Sequence, residues 1–477
     1  MRIKNSISLN KYSLTQFELT FNLLERTFDP AAKVRAGPPR EPSREKSMSK
    51  TRVTRRHLLT SAIGAAGGAA AFYGPWAHTR VHAQPSMKPI RIGITSDASG
   101  QYANSGASDR RGMMMAIAEA NARGGVLGRK IETMHLDTET TPATGSRVAE
   151  RLITRENCGF LIGAIHSGVA NAISQVAQKY GVIYLNTNSS APSEAGANCH
   201  RVKFVWDANG TNFAKASVKA AIEKYGKKWV LLTNDYVWGH STSAATKALL
   251  KQYGGDMVEE ILVPQGTRDF SSQLLKIQQI NPGVVAAAIG GDDQKAMRQQ
   301  IAQLGMGNKP IWLNNQQDWP DVYGLPLDNL FGLFGTTWYY KLDLPGVADF
   351  VKRYQAMYPD TGMRVPGNVF YNGYFATREL LAAIERAGST NNIKVIKALE
   401  GHKMSARDRM QHHDAWIDPV THQVQQTIYQ ATANAGTQDK DDMFKIVAHT
   451  SPQDAVDSDA AGVCKLETYE ATPTFDA

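Results

Sequence analysis

The sequence predicts an α/β protein built from two doubly wound lobes, and three observations lead there. Short apolar runs alternate with longer amphipathic stretches from Ile90 onward. Several of the short runs are almost wholly apolar, as parallel strands covered by helices on both faces are. The alternation also continues well beyond one doubly wound sheet, in a chain long enough for two domains of average size.

In order, IRIGI at 90–94 reads as the first strand, followed by a helix over 106–123. A second strand over 130–137 and a second helix over 142–157 come next. FLIGAI at 160–165 and VIYLN at 182–186 are strands around a helix over 170–180. WVLLT at 229–233, VVAAAI at 284–289 and IWLN at 311–314 continue the pattern, with helices over 210–225, 241–253, 270–280 and 294–305. Right-handed crossovers between parallel strands are the rule for such an alternation.

Ligands of open parallel sheets sit beyond the carboxyl ends of the strands. The residues there are His166-Ser167-Gly168, Thr187-Asn188-Ser189-Ser190, Asp235-Tyr236-Val237-Trp238-Gly239, Asp292-Asp293-Gln294 and Asn315-Gln316-Gln317-Asp318-Trp319. One such loop can be explained by helix capping and turn formation alone. Five of them, carrying hydroxyls, amides, carboxylates and aromatics, suit a pocket for a small polar molecule.

The formal charge of +9 on 477 residues suggests an anionic partner until it is located. Residues 1–83 hold 14 Lys and Arg against 5 Asp and Glu, and the other 394 residues hold 39 of each. A neutral body without a basic run excludes nucleic acid as a partner. The excess belongs to a leader. Arg55-Arg56 precede a weakly apolar stretch from Leu58 to Phe72, and Val81-His82-Ala83 supplies a small-x-small cleavage pattern. This resembles a twin-arginine export signal over 48–83, cut after Ala83, which makes the mature protein periplasmic. Residues 1–47 fit no targeting pattern, so translation is expected to begin at Met48, with 1–47 a non-native upstream extension. No run of 18 apolar residues follows, so no membrane span is expected.

Catalytic and cofactor signatures are missing. The sequence has no G-x-S-x-G elbow, no Walker pattern and no G-x-G-x-x-G after a strand. His412-His413-Asp414 is the densest metal-like cluster, but it lacks a helical His pair or cysteine partners and reads as surface or loop histidines. Gly290-Gly291 reads as a turn or a close backbone approach. No enzyme activity, metal or cofactor is therefore expected. Of the three cysteines, Cys158 ends a helix beside an apolar strand and suits a buried thiol, leaving Cys199–Cys464 as the expected disulfide.

From about Lys88 onward the chain resembles the periplasmic solute-binding proteins of ABC transporters, in the leucine/isoleucine/valine-binding branch. The run RIGITSDASGQYANSGASDRRGMMMAIAEANARGGVLGRKIE is similar to that family's first strand, ligand loop, helix and Gly-Gly turn. LIGAIHSGVANAISQVAQKYGVIYLNTNSSAP is similar to its second ligand loop, and VLLTNDYVWGHS and TRDFSSQLLKIQQINPGVVAAAIGGDD to its second lobe. The resemblance implies the type I architecture, two lobes joined by a three-crossing hinge that closes on the ligand. The crossings are expected near 206–209, 336–340 and 418–426, with lobe 1 over 84–207 and 338–420. Lobe 2 then takes 208–337 and 421–477 with the C-terminal tail. A terminal half-cystine paired near the first crossover is similar to one subgroup of the family and agrees with Cys199–Cys464.

The resemblance implies binding without catalysis. The partners are a small-molecule ligand and the membrane permease, and the protein is expected to be a monomer. It implies that Ser167 meets a ligand carboxylate at a helix start, where free N–H groups and the helix dipole favour an anion. Asn188 and Ser190 are the next strand-end contacts, and Tyr102 and Ser105 belong to the first ligand loop. Trp238 stands where the family usually has a tyrosine, and Asp292 stands near another second-lobe contact. Asn315 or Gln316 stands where amino-acid binders carry an acid. A buried ammonium needs a carboxylate, which Asp292 or Asp293 could restore. Trp238, with Tyr102 and Trp319, suggests a flat or apolar portion of the ligand. The family's early disulfide is absent at Thr140 and His166, which lets His166 face the cleft. The expected ligand is an amino acid, organic acid, amide or aromatic solute. A ligand-sensing receptor subunit and an exported α/β enzyme are the alternative readings.

Overall fold

The computed structural model describes residues 88–477; the leader, its cleavage after Ala83 and the upstream extension lie outside the described residues. The first sheet holds β1 (Ile90–Ile94), β2 (Ile131–His135), β3 (Phe160–Gly163), β4 (Ile183–Asn186) and β5 (Lys203–Val205). Helices α1 (Ala103–Ala122), α2 (Pro142–Thr154) and α3 (Ser167–Tyr180) connect the first four strands. All five strands are parallel, in the order β2-β1-β3-β4-β5.

After α4 (Gly210–Tyr225) the second lobe repeats the plan. It alternates β6 (Lys228–Asn234), α5 (Val237–Tyr253), β7 (Asp256–Val263), α6 (Ser271–Ile280), β8 (Val284–Ala288) and α7 (Gly291–Gln303). Then come β9 (Ile311–Asn314), the short α8 (Trp319–Val322) and β10 (Leu333–Thr336). The order β7-β6-β8-β9-β10 is the first lobe's order over again. β6 shows why its sequence is apolar throughout. Val230 and Leu232 join the core beneath α6 and α7, while Trp229 and Leu231 join the one beneath α4 and α5. A strand buried on both faces has no polar side to alternate.

The chain then returns to the first lobe as α9 (Val347–Met357), α10 (Asn368–Ala387) and α11 (Asn392–Leu399), whose apolar faces join that lobe's core. A small antiparallel sheet follows, of β11 (Lys403–Met404), β12 (Ala415–Ile417) and β13 (Val424–Gln425). The chain crosses back to give β14 (Ile428–Ala433), antiparallel to β10, and β15 (Phe444–Thr450). Sequence reading stopped short of β5, β7, β10 and everything after 320. Several of these strands are short, or lie at an edge with a mixed pattern such as DMVEEILV in β7.

The three connections between lobes are tied by buried amides. Gln426 Nε2 donates to the Trp206 carbonyl at 2.8 Å, and Gln411 Nε2 donates to the Thr337 carbonyl at 2.8 Å. Asn209 Nδ2 donates to Gln423 Oε1 at 2.8 Å. Residues 418–423, expected within the third crossing, instead turn between β12 and β13, so that crossing is 426–427. The tail, assigned from sequence to the second lobe, runs back along the first. Arg129 Nη1 donates to the Ala477 carbonyl at 2.9 Å, and Asn392 Nδ2 donates to the Pro473 carbonyl at 2.8 Å.

The disulfide is what turns the tail back. Cys199 and Cys464 are bonded with Cα atoms 5.7 Å apart, across 265 residues of sequence, and Cys158 is a buried free thiol. Burial pushes the Cys158 thiol up to about 11, which keeps it protonated and unreactive. Closing so long a loop restricts the unfolded chain, so Cys464→Ser should destabilise the protein by about 2–4 kcal/mol. Denaturant unfolding of the oxidised protein and the variant reads this directly; equal midpoints would contradict it.

Candidate functional site

The repeated strand order puts a topological switch point in each lobe, between β1 and β3 and between β6 and β8. Loops leaving the carboxyl ends on either side of a switch splay apart and open a crevice. The cavity between the lobes is made from these loops. Tyr102 follows β1, Ile165 follows β3, and Asn188 and Ser190 follow β4; Tyr236 and Trp238 follow β6, Gly290 follows β8, and Gln316, Asp318 and Asp321 follow β9. With the lobes in contact it is narrow, a cavity of about 20 Å³.

The lobes are closed on one another around it. Tyr102 and Tyr236 share a hydroxyl–hydroxyl hydrogen bond of 2.6 Å. Gln101 Nε2 donates to the Gly290 carbonyl and to Asp293 Oδ2, both at 3.1 Å. Ser105 donates to Asp321 Oδ1 at 3.0 Å, and Ser190 donates to Gln316 Oε1. Gly290-Gly291 permits the approach. A Cβ on Gly290 would lie 2.7 Å from the Tyr102 hydroxyl, and Gly291 has φ +62° with Gln101 2.8 Å from where its Cβ would be.

The electrostatics are one-sided. Asp318 and Asp321 line the cavity, and no lysine or arginine does among the described residues. Asp318 Oδ1 accepts from Asn368 Nδ2 at 2.9 Å and from Gln316 Nε2 at 3.2 Å. Asp321 Oδ2 accepts from the Gly291 backbone N–H at 2.7 Å. Burial pushes the Asp318 carboxyl up to about 6. Burial, and then the neighbouring Asp318 charge, pushes Asp321 up to about 7. Hydrogen bonds to both carboxylates work in the opposite direction without cancelling the effect. At the first crossing, Gln316 Nε2 also donates to Asp207 Oδ2 at 2.8 Å; burial holds that carboxyl well above its usual range. Trp238 adds an indole N–H that is buried without an acceptor among the described residues.

The sequence-derived site residues divide into two groups. Tyr102, Asn188, Ser190, Trp238 and Gln316 line the cavity together. Asn188 is held from behind, its Nδ2 donating to Asp109 Oδ1 at 2.8 Å and its Oδ1 accepting from Asn372 at 3.0 Å. Ser105 stands one layer back as the donor to Asp321. His166 stacks on the Tyr236 ring with centroids 4.6 Å apart, and burial pulls its imidazole down to about 4. Ser167 starts α3, but its hydroxyl accepts from Ser189 Oγ at 2.9 Å rather than facing the cavity. Asn315 turns away, its Nδ2 donating to Thr246 Oγ1 at 2.8 Å. Asp292 lies half-exposed at the rim, paired with Arg268 at 3.2 Å.

Trp319 packs in the core against Tyr323, Tyr339, Tyr340 and Phe444 instead of reaching the ligand space. Asp293, the other acid considered, is occupied by Asn234, Gly266 and Gln101. Sequence reasoning missed Tyr236, Asp318 and Asp321 as cavity residues, although the first two stood in loops it singled out. The signal was available. An acid missing from its aligned position at 315–316 can be supplied a few residues further along the same loop.

Tyr102→Phe removes one hydrogen bond between the lobes and leaves Tyr236 without its partner. At about 1 kcal/mol net, it should weaken solute affinity about fivefold while leaving the unfolding midpoint of the free protein nearly unchanged. Calorimetric titration checks the first and thermal denaturation the second; unchanged affinity would detach this contact from closure.

The sequence matches the periplasmic binding protein family over residues 89–438. It is 27% identical over 345 residues to Leu/Ile/Val-binding protein homolog 7 of Brucella suis, covering 68% of this chain and 84% of that one. The fold is similar to an amino acid ABC transporter substrate-binding protein from Pseudomonas fluorescens, with a TM-score of 0.72 and 20% identity over 80% of this chain and all of that one. It is also similar to a solute-binding protein of an ABC transporter from Rhodopseudomonas palustris in complex with 3,4-dihydroxybenzoic acid, at a TM-score of 0.68 and 19% identity, covering 76% of this chain and 98% of that one. With its two repeated sheets, three crossings and cavity at both switch points, the chain belongs to the periplasmic binding protein family.

Proposed function

We propose that the protein is the exported solute-binding subunit of an ABC uptake transporter, and that its cleft closes on a small cationic solute for delivery to the membrane permease. The observation that carries this reading is the pair of buried carboxylates, Asp318 and Asp321, in a cavity that no lysine or arginine lines among the described residues, with Lys295 only partly offsetting the Asp321 charge. Two acids in a dry cleft repel each other and favour protons or a positive ligand. Relatives named for amino acids support a nitrogen-bearing solute, and the aromatic wall supports one with an apolar portion.

The sign of the pH dependence follows from the raised carboxyls. Below about pH 6 both hold protons and compete with a cation; as pH rises through 6–7 they ionise and accept it. Affinity for a cationic solute should therefore rise from pH 5 to 8, and binding near pH 6.5 should release protons. Calorimetry in buffers of different ionisation enthalpy measures that release. Proton uptake on binding, or affinity that falls with pH, would overturn the reading. The same groups make the free protein less stable as pH rises from about 4 to 7, since the folded state then binds more protons than the unfolded chain.

Export by the twin-arginine route, with cleavage after Ala83 and the mature protein working as a monomer, completes the proposal. Arg55-Arg56 ahead of the apolar run supports the route. Amino-terminal sequencing of protein recovered from the periplasm should begin at Gln84; a start elsewhere would reject the site of cleavage.

A further inference from the structure

The aromatic side of the cavity narrows the class of cation. Tyr102, Tyr236 and Trp238 line the same small space as Asp318 and Asp321. The two tyrosine hydroxyls bond each other at 2.6 Å, which uses one of their two protons and leaves the ring surfaces and a single O–H to face a ligand. Tyr236 is held in place from a second direction by His166, stacked at 4.6 Å with 17° between planes. Its ring lies 6.0 Å from that of Trp238 at 37°, so the two walls are angled instead of stacked. Angled ring faces beside a carboxylate recognise cations through the negative face of each ring.

The acids are also better placed to supply charge than to accept many hydrogen bonds. Asp321 has one oxygen taken by Ser105 and the other by the Gly291 N–H. Asp318 Oδ1 already accepts from Asn368 and Gln316. A primary ammonium would bring three N–H groups to a site where Asp318 Oδ2 is the one oxygen of the two carboxylates without a hydrogen bond among the described residues, whereas a quaternary methylammonium brings none and packs its methyl groups on the rings. Trp238, a cavity residue whose Nε1–H is buried without an acceptor among the described residues, suits a ligand that also carries an oxygen.

Resting on the cationic-solute reading above, we propose that the ligand is a quaternary, N-methylated ammonium compound with a hydroxyl or carboxylate oxygen a few atoms from the nitrogen. Choline is a probe of this class. Ethanolamine keeps the charge and the oxygen but lacks the methyl groups, and 3,3-dimethyl-1-butanol keeps the shape but lacks the charge.

Titration of the mature protein with the three probes tests the proposal. Choline should bind at least tenfold more tightly than ethanolamine, and the neutral alcohol should bind at least a hundredfold more weakly than choline. Tyr236→Phe should reduce choline affinity about fivefold, through the same hydrogen bond that Tyr102→Phe removes, and Tyr236→Leu at least tenfold beyond that, with circular dichroism confirming that both variants fold. Ethanolamine binding as well as choline, or no binding of choline, would overturn the methylated class while leaving a cationic solute in place. The neutral alcohol binding as tightly as choline would overturn both readings.

Discussion

The interaction on which the rest of the structure depends is the unbalanced burial of carboxylates between the lobes. Removing a charge from water costs several kcal/mol unless a partner compensates. At Asp318 and Asp321 the compensation is only partial, from Gln316, Asn368, Ser105 and the Gly291 N–H. Their carboxyls rise towards neutrality, and the cleft is left favouring positive charge. Asp207 extends the same imbalance to the hinge through Gln316, whose amide nitrogen reaches both Asp207 and Asp318. Charge in the cavity and geometry at the crossing therefore share one side chain.

Closure answers to the same constraint. The lobes meet through small apolar clusters around Tyr236 and Trp238 and through polar contacts, several of which end on the acids or on the glycine pair after β8. Ser105 reaches Asp321 from the first lobe, Gln101 reaches Asp293 and the Gly290 carbonyl, and Tyr102 meets Tyr236. A solute that neutralises the acids removes the main cost of bringing these loops together. The hinge amides Gln411, Gln423 and Gln426 tie the crossings without filling the cleft, so the lobes keep an axis about which to close.

Much of the fold was legible because the strands that build the site are buried on both faces. β1, β3, β4, β6, β8 and β9 announce themselves as apolar runs, and their carboxyl ends mark the ligand loops. Tyr102, Asn188, Ser190, Trp238 and Gln316 were readable from that rule together with the family resemblance. What stayed hidden depends on side-chain direction, which strand position does not give. Asn315 and Gln316 are neighbours, yet one turns to Thr246 and the other to the cavity. Trp319 was equally ambiguous: it follows a ligand strand but starts a short helix whose first side chain faces the aromatic core. The tail's return to the first lobe was implied by Cys199–Cys464 and overlooked in drawing the lobe boundary, because a disulfide constrains where the chain goes after it as well as where it meets.

The central claim is that the acids of the second lobe hold the solute's positive charge. A crystal structure of the mature protein with its tightest-binding solute tests it most directly. The account predicts a cationic nitrogen within about 5 Å of both the Asp318 and Asp321 carboxylates, against the rings of Tyr236 and Trp238. A ligand carboxylate in that position, or a solute bound outside the cavity, would contradict it.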